Sequence, residues 1–267
     1  MLQAVIDVVR QTAEQEIVPR YLKVARQHKT DGSLFTEADL AAQTALVEKL
    51  CAIREFPVLG EEMSSEDQAG LWDRGRAGLW CLDPIDGTSN FVNGIPYFAV
   101  SVALMHGGRP TLAVIYDPIA KELFYAEKGK GAYLNGERLP IKSHVPSLRR
   151  AMAGIEFKRI DKSLARQLAF QAPYCSQRNL GASTLDWCYV AAGRFDIYLH
   201  GGQKLWDYAA GCLILSEAGG HMCTLSHDNF WQDNIWQRSV VAALNLDLFR
   251  EWKAWLAQHS ALSDATN

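Results

Sequence analysis

Two carboxylates, a tight turn and a hydroxyl group lie within the segment Asp83-Pro84-Ile85-Asp86-Gly87-Thr88. The residues just before it, 79–82 (L-W-C-L), are apolar, so we expect the segment at the end of a buried strand. Pro84 and Gly87 favour a tight turn, and Thr88 is suited to cap a helical turn that follows. The backbone N–H groups of Gly87 and Thr88 would then face an anion, as they do at helix N-termini. Carboxylates beside an anion-binding turn suit a divalent metal that holds a phosphate.

Further acidic residues stand at the ends of other predicted elements. Glu61 and Glu62 follow the short apolar run 56–60, and Asp207 opens the helix-like run 208–218. Each group has a structural alternative, because Asp-Gly turns are common, paired glutamates are often solvated, and an Asp in a first helical turn complements the helix dipole. Together these positions offer several hard oxygen ligands with no His or Cys beside them. Such a set favours Mg²⁺ or Mn²⁺ over Zn²⁺.

Composition bounds the class of protein. The chain has 267 residues, of which 48% are hydrophobic, enough to build one large unit or two closely joined lobes. Its net charge of −3 does not indicate a basic surface of the kind that binds nucleic acid, so we do not expect nucleic acid as a partner. The six cysteines show no C-x-x-C spacing, which indicates free thiols in a reducing compartment. We see neither a signal peptide nor a membrane span and expect a cytoplasmic protein.

Periodicity predicts a mixture of helices and strands. Thr36 followed by Asp39 resembles a capping box at a helix start, and Pro19 is a possible kink in the first helix. Apolar spacing and turn residues give the remaining predicted bounds. Helices are expected at 2–27, 36–52, 163–170, 184–193, 207–218 and from 246, strands at 98–105, 110–117, 122–126, 195–199 and 239–243, and a hairpin at 129–136.

At this point the chain resembles a known family, the lithium-sensitive, Mg²⁺-dependent inositol monophosphatase-like phosphatases. The motifs that carry the resemblance are T-E-A-D at 36–39, G-E-E at 60–62, D-P-I-D-G-T at 83–88, G-I-P-Y-F-A-V-S at 94–101, G-K-G-A-Y-L-N-G at 129–136, W-D at 206–207 with A-A-G at 209–211, and E-A-G-G at 217–220. Each motif alone is moderately specific. Their order and spacing over nearly the whole chain make the resemblance specific.

The resemblance implies an α+β fold, an αβαβα layered sandwich of two lobes with a metal site in the cleft. A boundary near residue 145 would assign 1–145 to an N-terminal lobe that carries most of the metal ligands. The segment 146–267 would form a C-terminal lobe that completes the metal and substrate site. Periodicity alone reaches only mixed α and β.

The resemblance also implies the metal ligands. Glu61, Asp83 and the backbone carbonyl of Ile85 would hold one Mg²⁺. Asp83 would bridge to a second ion held with Asp86 and Asp207, and the site would take two or three Mg²⁺, with Mn²⁺ as a possible substitute. Two cations are physically apt, because attack on a phosphate monoester dianion must overcome charge repulsion at both the attacking and the leaving oxygen.

The expected catalytic residues are Asp39, Thr88 and Glu61. By resemblance, Asp39 pairs with the Thr88 hydroxyl, and the two orient and deprotonate an attacking water for in-line displacement. For Asp39 considered alone, a capping role is equally good. Glu62 would lie outside the direct ligands, where it could orient them or a further hydrated Mg²⁺. Lys29 matches the start of the mobile loop that closes over the site in relatives.

The substrate pocket is where the sequence departs from the family. The resemblance places six residues around the substrate: Asp86, Gly87, Thr88, Gly181, Ser183 and His200. Relatives that act on inositol phosphates usually carry a glutamate seven residues before the aspartate of the W-D pair, where it accepts hydrogen bonds from sugar hydroxyls. This chain has His200 there, and a neutral imidazole donates once and accepts once. His200 could instead be a packed loop residue.

The function expected from the resemblance is a Mg²⁺-dependent phosphomonoesterase that hydrolyses a small phosphate ester of the inositol 1-monophosphate type. One alternative is a specialised relative acting on histidinol phosphate, fructose 1,6-bisphosphate or 3′-phosphoadenosine 5′-phosphate. A second is a mainly non-catalytic partner of the transcription machinery, as some relatives bind it. Homodimers are common in the family and are expected here.

Overall fold

Two β-sheets, one larger and one smaller, form the frame of the protein. The structure, a computed structural model, describes residues 1–23, 27–28, 34–142 and 145–260. A short antiparallel pair, β1 (Gln27–His28) and β2 (Leu34–Phe35), stands apart from both sheets. The seven-stranded sheet contains β3 (Val58–Gly60), β4 (Leu79–Asp86), β5 (Ala99–His106), β6 (Arg109–Asp117), β7 (Glu122–Glu127), β8 (Ala132–Leu134) and β9 (Glu137–Arg138).

The larger sheet keeps its strands in chain order from β3 to β9. Only β3 and β4 pair in parallel, and the other neighbours are antiparallel, as short hairpin connections require. All eight residues of β4 are buried. Its side chains alternate between two cores, since Trp80 and Leu82 face one and Leu79 and Cys81 face the other. The strand that ends in the D-P-I-D-G-T motif is therefore covered on both faces.

The smaller sheet is mixed and has the order β11-β10-β12-β14-β13. Its strands are β10 (Met152–Glu156), β11 (Ser176–Arg178), β12 (Ile197–Gln203), β13 (His221–Cys223) and β14 (Arg238–Ala243). Strand β10 pairs in parallel with both β11 and β12, whereas β14 is antiparallel to β12 and β13.

Helices form the other three layers. They are α1 (Leu2–Thr12), α2 (Glu37–Ile53), α3 (Ser65–Arg74), α4 (Thr88–Asn93), α5 (Lys162–Phe170), α6 (Ser183–Ala191), α7 (Leu205–Glu217) and α8 (Leu246–Ser260). Helices α1 and α2 cover the outer face of the larger sheet, α6 and α7 fill the space between the sheets, and α5 and α8 cover the outer face of the smaller sheet. The expected αβαβα sandwich is confirmed.

The start of α2 follows the predicted capping box. The Thr36 hydroxyl accepts a hydrogen bond from Ala38 N–H at 3.1 Å, and Asp39 Oδ2 accepts one from Thr36 N–H at 2.8 Å. Reciprocal bonds of this kind satisfy N–H groups that the first helical turn leaves open.

The predicted first helix is shorter than expected. Helix α1 passes into a π-helical turn, Ala13–Ile17, and a 3₁₀ turn, Val18–Arg20, so the predicted bound at residue 27 was wrong. Pro19 lies in that last turn, where a residue without N–H ends the regular helical pattern. Helix α3 and strands β10, β11 and β13 were not predicted. The division near residue 145 stays a prediction, although the larger sheet ends before it and the smaller begins after it.

In the part of the chain that the structure describes, no helix combines the length and apolar character needed to cross a membrane.

Close packing of α6 against α7 generates a stability prediction. A Cβ added at Gly211 would overlap the Trp187 side chain, whereas one added at Gly70 on α3 would meet only Arg74 Nη2 at 3.9 Å. We expect Gly211→Ala to lower the free energy of unfolding by about 1–3 kcal/mol through overpacking. Gly70→Ala should raise it by about 0.5–1 kcal/mol, because alanine is the better helix former. Urea titration of both variants measures this, and a stabilising Gly211→Ala would contradict the packing argument.

Candidate metal centre

Three carboxylates from distant parts of the chain meet at one end of the larger sheet. Asp83, Asp86 and Asp207 each offer an oxygen, and these oxygens lie within 4.8 Å of one another. In a regular strand, residues three apart face opposite sides, so Asp83 and Asp86 could not share a site. The pairing of β4 with β5 shifts register between them, and Pro84 lies in that irregular stretch. The bulge brings both carboxylates to one site.

Asp86 is fixed by the first turn of α6. Its Oδ2 accepts hydrogen bonds from the Thr184 N–H and the Thr184 hydroxyl, both at 2.7 Å, and its Oδ1 accepts a longer one from the Ser183 hydroxyl at 3.4 Å. The end of β4 is thereby tied to the helical layer between the sheets.

Asp207 lies in the first turn of a helix, which was its structural alternative, and it also belongs to the carboxylate cluster. It stands in the first turn of α7, where its Oδ2 accepts a hydrogen bond from Lys204 N–H at 2.8 Å. Its other neighbours are the carboxylates of β4. The helix start therefore sets the position of the third carboxylate.

Burial and mutual repulsion disfavour the charged form of all three groups. Burial, followed by the charges of Glu61 and Asp86, raises the pKa of Asp83 well above its usual value. Burial raises the pKa of Asp86 to about 6, against the opposing effect of the Thr184 hydrogen bonds. Burial and then the charges of Asp86 and Glu61 raise the pKa of Asp207 to about 8. A divalent cation would remove this cost, and carboxylate oxygens are the ligands that Mg²⁺ and Mn²⁺ accept, so the residues fit such an ion.

Glu61 and the Ile85 backbone belong to the same cavity as the three aspartates. Glu61 follows β3, and the Gln68 side chain donates to the Gly60 carbonyl at 3.0 Å, which holds the turn after that strand. Glu62 is half-buried and its backbone N–H donates to Gln43 Oε1 at 3.2 Å. The role expected for Glu62 stays a prediction.

The turn after β4 is built on a left-handed glycine. Gly87 has φ of +88°, and a Cβ there would lie 3.1 Å from both Ala182 Cβ and the Tyr97 carbonyl oxygen. Both the backbone conformation and the close contact therefore favour glycine. A helix follows the turn as expected, but Gly87 is its N-cap and Thr88 is the first residue of α4 with no side-chain capping bond, so the predicted capping role of Thr88 was wrong.

The predicted hydrogen bond between Thr88 and Asp39 is not formed. Thr88 Oγ1 donates its single proton to the Ile85 carbonyl at 3.0 Å, because that carbonyl lies three residues back in the same turn. Asp39 instead accepts from the Thr36 N–H and, at 2.6 Å, from the Thr36 hydroxyl. The capping alternative for Asp39 is thus realised, and its catalytic role stays a prediction.

A cavity of about 710 Å³ opens above the carboxylates. Its lining contains the predicted substrate contacts Asp86, Gly87, Thr88, Gly181, Ser183 and His200. The His200 ring is buried in the wall on strand β12, not in a loop, and it lines this space, so its contact with substrate stays a prediction. Its Nδ1 accepts from Gly202 N–H at 3.0 Å, and burial together with the charge of Arg159 lowers its pKa to about 3. The ring is therefore neutral, with its proton on Nε2.

Sequence reasoning missed part of the wall. The cavity is also lined by Glu156, Lys158, Arg159, Asn179 and Asp186. The first three follow or end β10, a strand that was not predicted, and Asp186 lies within the predicted helix without a motif to mark it. Lys29, the predicted start of a mobile loop, lies outside the described residues.

Comparison with known proteins gives consistent matches. The model of the inositol monophosphatase family matches residues 1–264. A Nus factor SuhB from Pseudomonas aeruginosa is 40% identical over 195 residues, 69% of this chain and 70% of that protein. An inositol-1-monophosphatase from Caulobacter vibrioides is 35% identical over 237 residues, 85% of this chain and 88% of that protein. The solved structure of a Thermotoga maritima IMPase has a TM-score of 0.80 and 27% identity, and the match covers 96% of this chain and 98% of that one.

Raised carboxyl pKa values make the stability of the metal-free protein pH-dependent. The folded-state pKa values of Asp86 (about 6) and Asp207 (about 8) exceed the value of about 4 in an unfolded chain. The folded protein therefore holds protons that the unfolded chain releases, and this stabilisation is lost as pH rises through 6 and 8. In chelator, we expect Tm to fall from pH 5 to pH 8, and Asp207→Asn to flatten that fall.

The matched control is Asp73→Asn on the exposed surface of α3, which should keep the wild-type slope. Adding Mg²⁺ should raise the Tm of the wild type more at pH 8 than at pH 5, because it binds the ionised folded form. An Asp207→Asn slope equal to that of the wild type would contradict the proposed repulsion.

Proposed function

The chain belongs to the inositol monophosphatase family, and on that premise we propose that it is a Mg²⁺-dependent phosphomonoesterase acting on a small phosphorylated metabolite. The observation that supports this most is the cluster of Asp83, Asp86 and Asp207 beneath a cavity large enough for a sugar phosphate. Buried like charges are costly, so their convergence calls for a cation.

We assign the cation ligands as predicted from the resemblance. Asp83, with Glu61 and the Ile85 carbonyl, serves one position, and Asp86 and Asp207 serve a second with Asp83. When bound, Mg²⁺ or Mn²⁺ would neutralise phosphate charge and lower the pKa of water in the site.

The remaining residues bind and orient. The backbone N–H groups of Gly87 and Thr88 hold phosphoryl oxygens at the start of α4, and Ser183 lies beside Asp86 where the ester enters. The Thr88 hydroxyl, directed at the Ile85 carbonyl, keeps this turn in place and offers an oxygen lone pair towards the cavity. Asp39 supports the helix end behind it.

The direct test is phosphate release from a panel of esters with Mg²⁺. This panel distinguishes an inositol-type phosphatase from the specialised alternatives. It contains inositol 1-phosphate, histidinol phosphate, fructose 1,6-bisphosphate and 3′-phosphoadenosine 5′-phosphate. Each is measured with and without lithium, which we expect to inhibit. No release from any of them in Mg²⁺ or Mn²⁺ would overturn the phosphatase assignment.

A second candidate function is association with the transcription machinery. Several relatives carry the name Nus factor SuhB, among them one at 40% identity. Co-purification with RNA polymerase, retained in a variant without phosphatase activity, would support a separate role. We also propose a homodimer, which light scattering tests directly.

Asp83→Asn should abolish most activity. Replacing the carboxylate shared by both cation positions weakens both, and we expect a loss in kcat on the order of a thousandfold. The shape of the side chain is kept, so the Tm of the metal-free protein should not fall. Asp73→Asn should retain full activity, and a similar result for Asp83→Asn would exclude the shared-ligand assignment.

Thr88→Ala tests the hydroxyl. If it orients reacting groups, kcat should fall about a hundredfold with little change in KM. Thr88→Ser keeps the hydroxyl and should retain most of the activity. A Thr88→Ala variant with unchanged kcat would show that only the backbone of this residue matters.

A further inference from the structure

The cavity wall opposite the aspartates carries an acceptor and a donor side by side. We propose that Glu156, on β10, is a specificity-determining residue that binds a hydroxyl group of the substrate together with His200. This inference rests on the proposed phosphatase function and adds a residue to the same site.

Strand register brings the two residues together. Strands β10 and β12 pair in parallel, and Glu156 is the direct partner of His200. Paired positions on neighbouring strands are about 5 Å apart and send their side chains to the same face of the sheet. Both side chains line the cavity that contains Asp207. A carboxylate and an imidazole from adjacent strands therefore face the same part of the cavity.

Each of the two groups is held in place by a backbone N–H. Glu156 Oε1 accepts from Lys158 N–H at 2.7 Å, and His200 Nδ1 accepts from Gly202 N–H at 3.0 Å. With Nδ1 accepting, the neutral imidazole presents Nε2–H as a donor. A carboxylate accepts and an N–H donates, and an alcohol hydroxyl does both, so one hydroxyl can satisfy the pair.

Two glycines in β12, Gly201 and Gly202, allow the loop after β10 to pack closely against this strand. The backbone of Arg159 and Ile160 lies directly on Gly201, where any Cβ would overlap the Arg159 carbonyl. Arg159 Nη1 donates to the Gly202 carbonyl at 2.7 Å. The loop after β10 is thus fastened to β12, and Glu156 is set against His200 with little freedom, which is the condition for selective hydrogen bonding.

The test compares two esters that differ only in hydroxyls. Inositol 1-phosphate and cyclohexyl phosphate share a six-membered ring, and we expect the wild type to prefer the former by at least about tenfold in kcat/KM. Glu156→Gln should lower kcat/KM for inositol 1-phosphate by about tenfold to a hundredfold and change that for cyclohexyl phosphate less than about twofold. Glu137→Gln, on the exposed strand β9, is the matched control and should change neither.

His200→Phe keeps a planar ring without the N–H donor and should reduce the same preference. Equal losses on both esters in Glu156→Gln would overturn the proposal, because they would assign Glu156 to the chemistry or the fold. If no ester is hydrolysed, the phosphatase function fails, and binding decides the subsite. With Mg²⁺ present, inositol 1-phosphate should then raise Tm more than cyclohexyl phosphate in the wild type but not in Glu156→Gln, and equal shifts would overturn the proposal.

Discussion

The elements around the site hold three acidic side chains together against their mutual repulsion. Asp83, Asp86 and Asp207 are buried within reach of one another, although burial and proximity both disfavour their charged forms. Each is held by a feature that also serves the fold: a bulge in β4, two hydrogen bonds from Thr184, and the capped start of α7. The stability of packed elements thus opposes the repulsion, and a bound cation would relieve it.

The helical layer between the sheets is what makes that arrangement rigid. Helices α6 and α7 each send their first turn to the cluster and bury the rest of their length between the two sheets. Their axes approach closely because Gly211 offers no side chain against Trp187. A shift of either helix would move the Thr184 bonds or Asp207, so the packing of the core and the spacing of the ligands are not independent.

Sequence was sufficient where the determinants are local. The capping box at Thr36, the strands from 98 to 126 and the start of α4 follow from turn residues and periodicity, and the structure has them within about one to two residues. The pairing of strands that are distant in the sequence was harder to predict. Strand β10 is short and has no alternating pattern, so it was missed together with Glu156, whose place beside His200 depends on a register that no local signal contains. The expected bond from Thr88 to Asp39 failed because a carbonyl in the same turn competes for its proton.

If Glu156 binds the substrate as proposed, it supplies from β10 the carboxylate that inositol-type relatives usually carry at the position of His200. Parallel strands present partner residues at nearly the same depth of a cavity, so a carboxylate on either strand lines the same wall. Position 200 must then carry a side chain that does not repel Glu156. A neutral His200, fixed by Gly202 and kept uncharged by burial beside Arg159, meets that condition, and a second glutamate there would face Glu156 directly.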